Sequence, residues 1–136
     1  MKVEISRSLL QEIEADVRSD IRKERCGLLL GAGQEIITAF QPVDNVHTSP
    51  ENSFEMEPSA LLAAYRRERE GGAQILGHYH SHPSGDPVPS EEDARQADVD
   101  GRYWMIFGQD SHSLWQTSQS GVHLGRFNPL NLIVTD

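Results

Sequence analysis

One cysteine in 136 residues cannot form an internal disulfide, so folding does not depend on an oxidising compartment. No secretory signal is visible either. The N-terminal stretch MKVEISRSLLQEIEADVRSD is charged throughout, and the longest apolar run near it, the LLL of residues 28–30, is far too short to span a bilayer. The expected location is cytoplasmic, with no membrane partner. Basic residues are scarce as well: 12 Lys and Arg stand against 21 Asp and Glu, a formal net charge of −9. That balance excludes nucleic acid as a partner, because its binders concentrate cations on one face. The densest basic cluster, YRRERE at 65–70, alternates with acids and reads as a solvated helix face. Repeats, low-complexity tracts and linkers are also missing, and residues 1–136 are expected to form one domain.

The composition that remains is that of a globular chain, 37% hydrophobic and too apolar for disorder. KVEIS alternates like a short strand, and Ser6 or Ser8 can cap a helix whose apolar positions are Leu9, Leu10, Ile13 and Val17. CGLLLGAGQEIITAFQPV reads as two strands joined at GAGQ, with Cys26 as a packed small residue rather than a nucleophile. DNVHTSPENS is loop, and FEM a brief extended segment. PSALLAAYRRERE is a helix with Pro58 in its first turn that stops at Gly71-Gly72. AQILGHYH is a strand, Ser90 caps a short helix running to about Val99, and RYWMIFG, SLWQTSQ and VHLGRF are further strands. The fold class is therefore α/β, a mixed and mostly antiparallel sheet flanked by helices rather than alternating βαβ units.

The densest chemistry lies in GHYHSHPSGDPVPSEED, residues 77–93, where His78, His80 and His82 fall within five positions. Residues two apart on a strand share a face, so His80 and His82 can converge on one ion. Zinc accepts imidazole nitrogen and carboxylate oxygen, and two histidines need a third ligand. Asp93 is the natural candidate, delivered by the first turn of the following helix behind a loop restricted by three prolines. The tetrapeptide SEED has a second reading as a capping box between Ser90 and Asp93. His47, His112 and His123 read as surface or packing residues, and Trp104 and Trp115 as sheet packing. His78 could support the site from behind.

The run HSHPSGDPVPSEED resembles the metal signature of the JAMM (MPN-plus) metallopeptidases, His-x-His-x7-Ser-x-x-Asp, with His80, His82, Ser90 and Asp93 in register. ERCGLLLG, residues 24–31, is similar to the family's Glu ahead of a Cys-Gly strand, and places Glu24 there. The segment FNPLNLIVTD matches no family feature. The resemblance implies a cytidine-deaminase-like fold with one Zn2+ per chain, held by His80, His82 and Asp93. It also implies that Glu24 shuttles a proton from the attacking water to the leaving amine, and that Ser90 donates to the oxyanion.

Two insertions that grip ubiquitin in chain-cutting members have no room here, since NSFEMEP and residues 94–101 are short. The resemblance therefore implies a bare core that takes an extended tail as an added strand beside the sheet edge. The expected partner is a small ubiquitin-like or sulfur-carrier protein cleaved after its C-terminal Gly-Gly. The alternatives are a non-catalytic MPN-type interaction module and a zinc hydrolase for another peptide or amide. A nucleobase deaminase is excluded, because its Pro-Cys-x-x-Cys needs two cysteines.

Overall fold

The N-terminal strand β1 (Lys2–Ser6) runs straight into α1 (Arg7–Arg18), and the side chain of Ser6 caps the helix by accepting the amide of Leu9. The computed structural model describes residues 2–136. β2 (Cys26–Gly31), β3 (Ile36–Ile37) and β4 (Ala39–Val43) follow, then α2 (Pro58–Arg69) and β5 (Gln74–Ser81). The chain ends with α3 (Glu91–Gln96), β6 (Tyr103–Phe107), β7 (His112–Gly121) and β8 (Gly125–Thr135). Pro58 occupies the first turn of α2 behind the carboxylate cap of Glu57, and Gly71 leaves the helix at φ +90°.

All eight strands join one sheet in the order β3-β1-β8-β7-β6-β5-β2-β4. The two edge strands are consecutive in sequence, separated by Thr38 alone, whose amide bonds to Leu30. The sheet therefore curls until its edges meet, and α1 lies against the inner face. Leu9, Leu10, Ile13 and Val17 pack there with Val3, Ile5, Leu29, Tyr79, Met105 and Phe107. Asp16 anchors the helix, pairing with Arg25 at 2.6 Å and accepting the Tyr79 hydroxyl at 2.7 Å. Leu76 and Tyr79 both reach this core despite opposite parity, because a register shift opposite Leu29 and Leu30 absorbs one residue of β5.

Antiparallel pairing dominates, with β2–β4, β2–β5, β6–β7 and β7–β8 against the parallel pairs β1–β3, β1–β8 and β5–β6. The expected absence of βαβ units needs one correction. β5, α3 and β6 form such a unit, with the histidine-rich loop in its crossover.

The second strand of the expected hairpin is broken at Thr38: its first part pairs with β1 and its second with β2. α3 stops at Gln96, short of Val99, because Ala97 already takes an extended backbone at φ −68°, ψ 125°. VHLGRF is strand only in its second half: residues 122–124 form the β7–β8 turn, with Leu124 at φ +52°, and Gly125 at φ +70° opens β8. The unassigned C-terminal segment is most of β8, which pairs with β7 through its first half and with β1 through its second. Among the described residues, no helix is long and apolar enough to cross a membrane.

Candidate metal centre

Alternation along β5 sends His78 and His80 to the face opposite α1, and the amide of His82 extends the pairing by bonding to Phe107 O at 2.7 Å. His80 is completely buried, its ring stacked on Phe54 at 4.4 Å between centroids and 23° between planes. His82 donates from Nδ1 to the carbonyl of Asp86 at 2.9 Å, which leaves the Nε2 lone pair free to ligate. The proline-rich loop is pinned from β7 and the β7–β8 turn. Pro87 O accepts the hydroxyl of Ser113, and Pro89 O accepts His123 Nε2 at 2.8 Å.

The capping-box and ligand readings of SEED describe one geometry. Ser90 Oγ accepts the amide of Asp93 at 3.0 Å, and Asp93 Oδ2 accepts the amide of Ser90 at 2.9 Å. That same Oδ2 lies 3.2 Å from Nε2 of His80 and 3.2 Å from Nε2 of His82, and the two nitrogens are 3.2 Å apart. The cap fixes the carboxylate rotamer, and the fixed rotamer faces the histidines. A tetrahedral ion with ligands at about 2.0–2.1 Å spaces them by about 3.3 Å. Two nitrogens and one oxygen at 3.2 Å therefore fit zinc in donor type and in spacing.

Glu24 is the second carboxylate near the pair. One of its oxygens and a ring nitrogen of each histidine lie within 4.8 Å of one another. Glu24 makes no side-chain hydrogen bond to them, and its Oε1 is buried without a partner. Burial is the main reason its carboxyl is pushed up to about 7, with the His82 charge opposing and Asp93 adding. Burial also lowers His80, and lowers His78 to about 3. For Asp93 burial acts upward, yet His80, His82 and the Ser90 amide hold it well below the usual carboxylate range.

Residues 6–119 match the family described as prokaryotic homologs of the JAB domain. The chain belongs to this family. Among curated relatives, the desampylase of Haloferax volcanii is 33% identical over 104 residues, 76% of this chain and 75% of the relative. The probable TtuB-protein conjugate cleaving protease of Thermus thermophilus is 37% identical over 106 residues, 78% of this chain and 70% of the relative. A Desulfitobacterium hafniense protein solved in solution has a TM-score of 0.83 at 25% identity, covering all of this chain and 94% of the other. The structure presented as JAMM, a metalloprotease-like zinc site in the proteasome and signalosome, has a TM-score of 0.60 at 21% identity with full coverage of both chains. That last likeness shows the fold; membership of the family, and with it the expected resemblance, rests on the match over residues 6–119 and on the curated relatives.

In this JAB-family chain the residues expected at the site do converge: His80, His82 and Asp93 form the triangle, with Glu24 and the Ser90 cap beside it. Several supporting residues carried no sequence signal. Asn45 uses its whole amide, donating to the carbonyls of Glu24 and Ser53 and accepting the amides of His47 and Glu55. It thereby ties the Glu24 backbone to the loop that carries Phe54. His123, expected as surface or packing, holds the loop carbonyl next to Ser90. His47 accepts the amide of Ser49, a local turn. Trp104 packs in the sheet as expected and also closes edge-on against His78 at 4.3 Å. The free edge for an added strand lies further off than expected: β5 is paired on both sides, and the edge beyond β2 is β4.

Proposed function

We propose that residues 1–136 form a cytoplasmic, zinc-dependent isopeptidase that hydrolyses the bond after the C-terminal Gly-Gly of a small ubiquitin-like or sulfur-carrier protein. One observation carries the reading: two imidazole nitrogens and a carboxylate oxygen at mutual 3.2 Å, with a buried, otherwise unpaired glutamate alongside. The relatives named for cleaving such conjugates support the substrate class. An interaction module without catalysis has no use for two buried donors and one half-buried donor arranged in this way.

His80, His82 and Asp93 hold one zinc per chain. Bound there, zinc supplies a water acidified to near neutrality and a Lewis acid for the scissile carbonyl. Glu24 accepts the proton of the attacking water and passes it to the leaving amine; an oxygen without hydrogen-bond partners is free to do both. Ser90 Oγ already accepts the Asp93 amide, and its own proton remains to donate to the oxyanion, an interaction worth about 3–4 kcal/mol in comparable sites. The depth of the centre supports Gly-Gly, since His80 and Asp93 are 0% and 3% exposed. Backbone without side chains reaches such a centre most easily. The short stretches on either side, residues 52–57 and 97–102, leave no structure to grip a globular ubiquitin.

The test incubates zinc-loaded protein with sulfur-carrier proteins extended beyond Gly-Gly and with Lys-linked diubiquitin, followed by intact mass. Cleavage of the extended carriers is the expected result. Efficient diubiquitin cleavage with untouched carrier fusions would overturn the assignment.

A further inference from the structure

A cavity of about 430 Å3 opens on the sheet face that carries the metal-binding residues. It lies between α2, the C-terminal end of α3 and the strands β5 and β6, with His78 in its lining. Phe54 belongs to the same wall and touches both His78 and His80, at 5.2 and 4.4 Å between ring centroids. The cavity therefore adjoins the centre, with Phe54 as the wall they share.

Its chemistry favours one kind of guest. Leu61, Tyr65 and Trp104 provide apolar and aromatic wall, while Glu55, Asp98 and Asp100 contribute three carboxylates. Arg102 also lines the cavity, but it lies 3.6 Å from Asp100 and over the Tyr65 ring at 5.4 Å, so those two charges offset each other. The carboxylates of Glu55 and Asp98 have no ion pair or hydrogen bond among the described residues, which leaves a local excess of negative charge. His78 is only 9% exposed, and its Nε2 is buried without a hydrogen-bond partner.

We propose that this cavity is a specificity subsite for a lysine or arginine side chain of the substrate, on a residue near the scissile bond. The aliphatic stem packs on Leu61 and Trp104, the cationic head reaches Glu55 and Asp98, and the aromatic wall adds cation–π attraction. The inference rests on the reading that the substrate backbone is brought to His80, His82 and Asp93.

The experiment uses the Glu24→Gln protein, which binds without turning over, and labelled Gly-Gly peptides carrying Lys, Ala or Glu at each flanking position. Fluorescence anisotropy should show, at one position, Lys binding roughly tenfold tighter than Glu. The Glu55→Lys, Asp98→Lys double variant changes exposed residues and should reverse that order. A charge scan that is flat, or a preference that survives the reversal, overturns the subsite. Cleavage by the unsubstituted protein separates the two readings. A reversible Lys preference without cleavage of any Gly-Gly substrate sinks the peptidase reading alone, and cleavage with a flat scan sinks the subsite alone.

Discussion

His123 Nε2 lies 2.8 Å from the carbonyl oxygen of Pro89, joining the β7–β8 turn to the residue just ahead of the α3 cap. The His123 ring also packs on Trp115 at 5.2 Å, and Trp115 in turn donates to Ser113. The loop between the second histidine and Asp93 is thus held from outside as well as stiffened by its prolines. His123→Ala should cost about 1 kcal/mol of stability, as for one partly buried hydrogen bond. It should also lower turnover by loosening Ser90, with His123→Gln restoring part of both. Thermal unfolding and steady-state turnover check this; two unchanged values would remove His123 from any positioning role.

Metal content follows from the donor triangle. The His80→Ala, His82→Ala double variant leaves one of the three proposed ligands and should retain almost no zinc. Mass-spectrometric metal analysis of the purified protein decides it, and full zinc occupancy in the double variant would refute the assigned ligands.

Glu24→Gln separates binding from catalysis. The side chain is nearly isosteric and stands outside the donor triangle, so zinc content should persist while turnover falls about 10²–10⁴-fold. Wild-type turnover in this variant would exclude the proton-shuttle role. Ser90→Ala should reduce turnover less and cost about 1 kcal/mol of stability, because its Oγ caps the Asp93 amide.

In the metal-free protein Glu24 also shapes stability against pH. Its folded-state value of about 7 lies above the ordinary 4.5 because burial disfavours the anion. Below pH 4.5 folded and unfolded chains are both protonated there, and no penalty arises. As pH rises from 4.5 to about 7 the unfolded chain ionises first, so folded stability falls across that window. Urea midpoints at pH 5 and pH 8 should drop more for the wild-type protein than for Glu24→Gln. Equal drops would mean that the carboxyl is not desolvated as its burial indicates.

What could be read without tertiary structure is what lies close along the chain. Strand parity puts His80 and His82 on one face, and a capping box sets the Asp93 carboxylate; both operate within 14 residues, from His80 to Asp93. The helix starts at Ser6 and Pro58 were legible for the same reason, since caps are made by immediate neighbours. Glu24 is different. Nothing in its own stretch marks it among the other glutamates, and only the resemblance pointed to it. Its place beside the histidines comes from β2 pairing with β5, which sets Cys26 opposite His80, and from Asn45 holding the Glu24 carbonyl. Phe54 against His80 and the hold of His123 on Pro89 likewise join segments far apart in sequence, and the break at Thr38 comes from the two sheet edges that β3 and β4 join. Partners brought together by long-range packing leave no periodic trace in either of the segments they join, so the tertiary structure alone decided them.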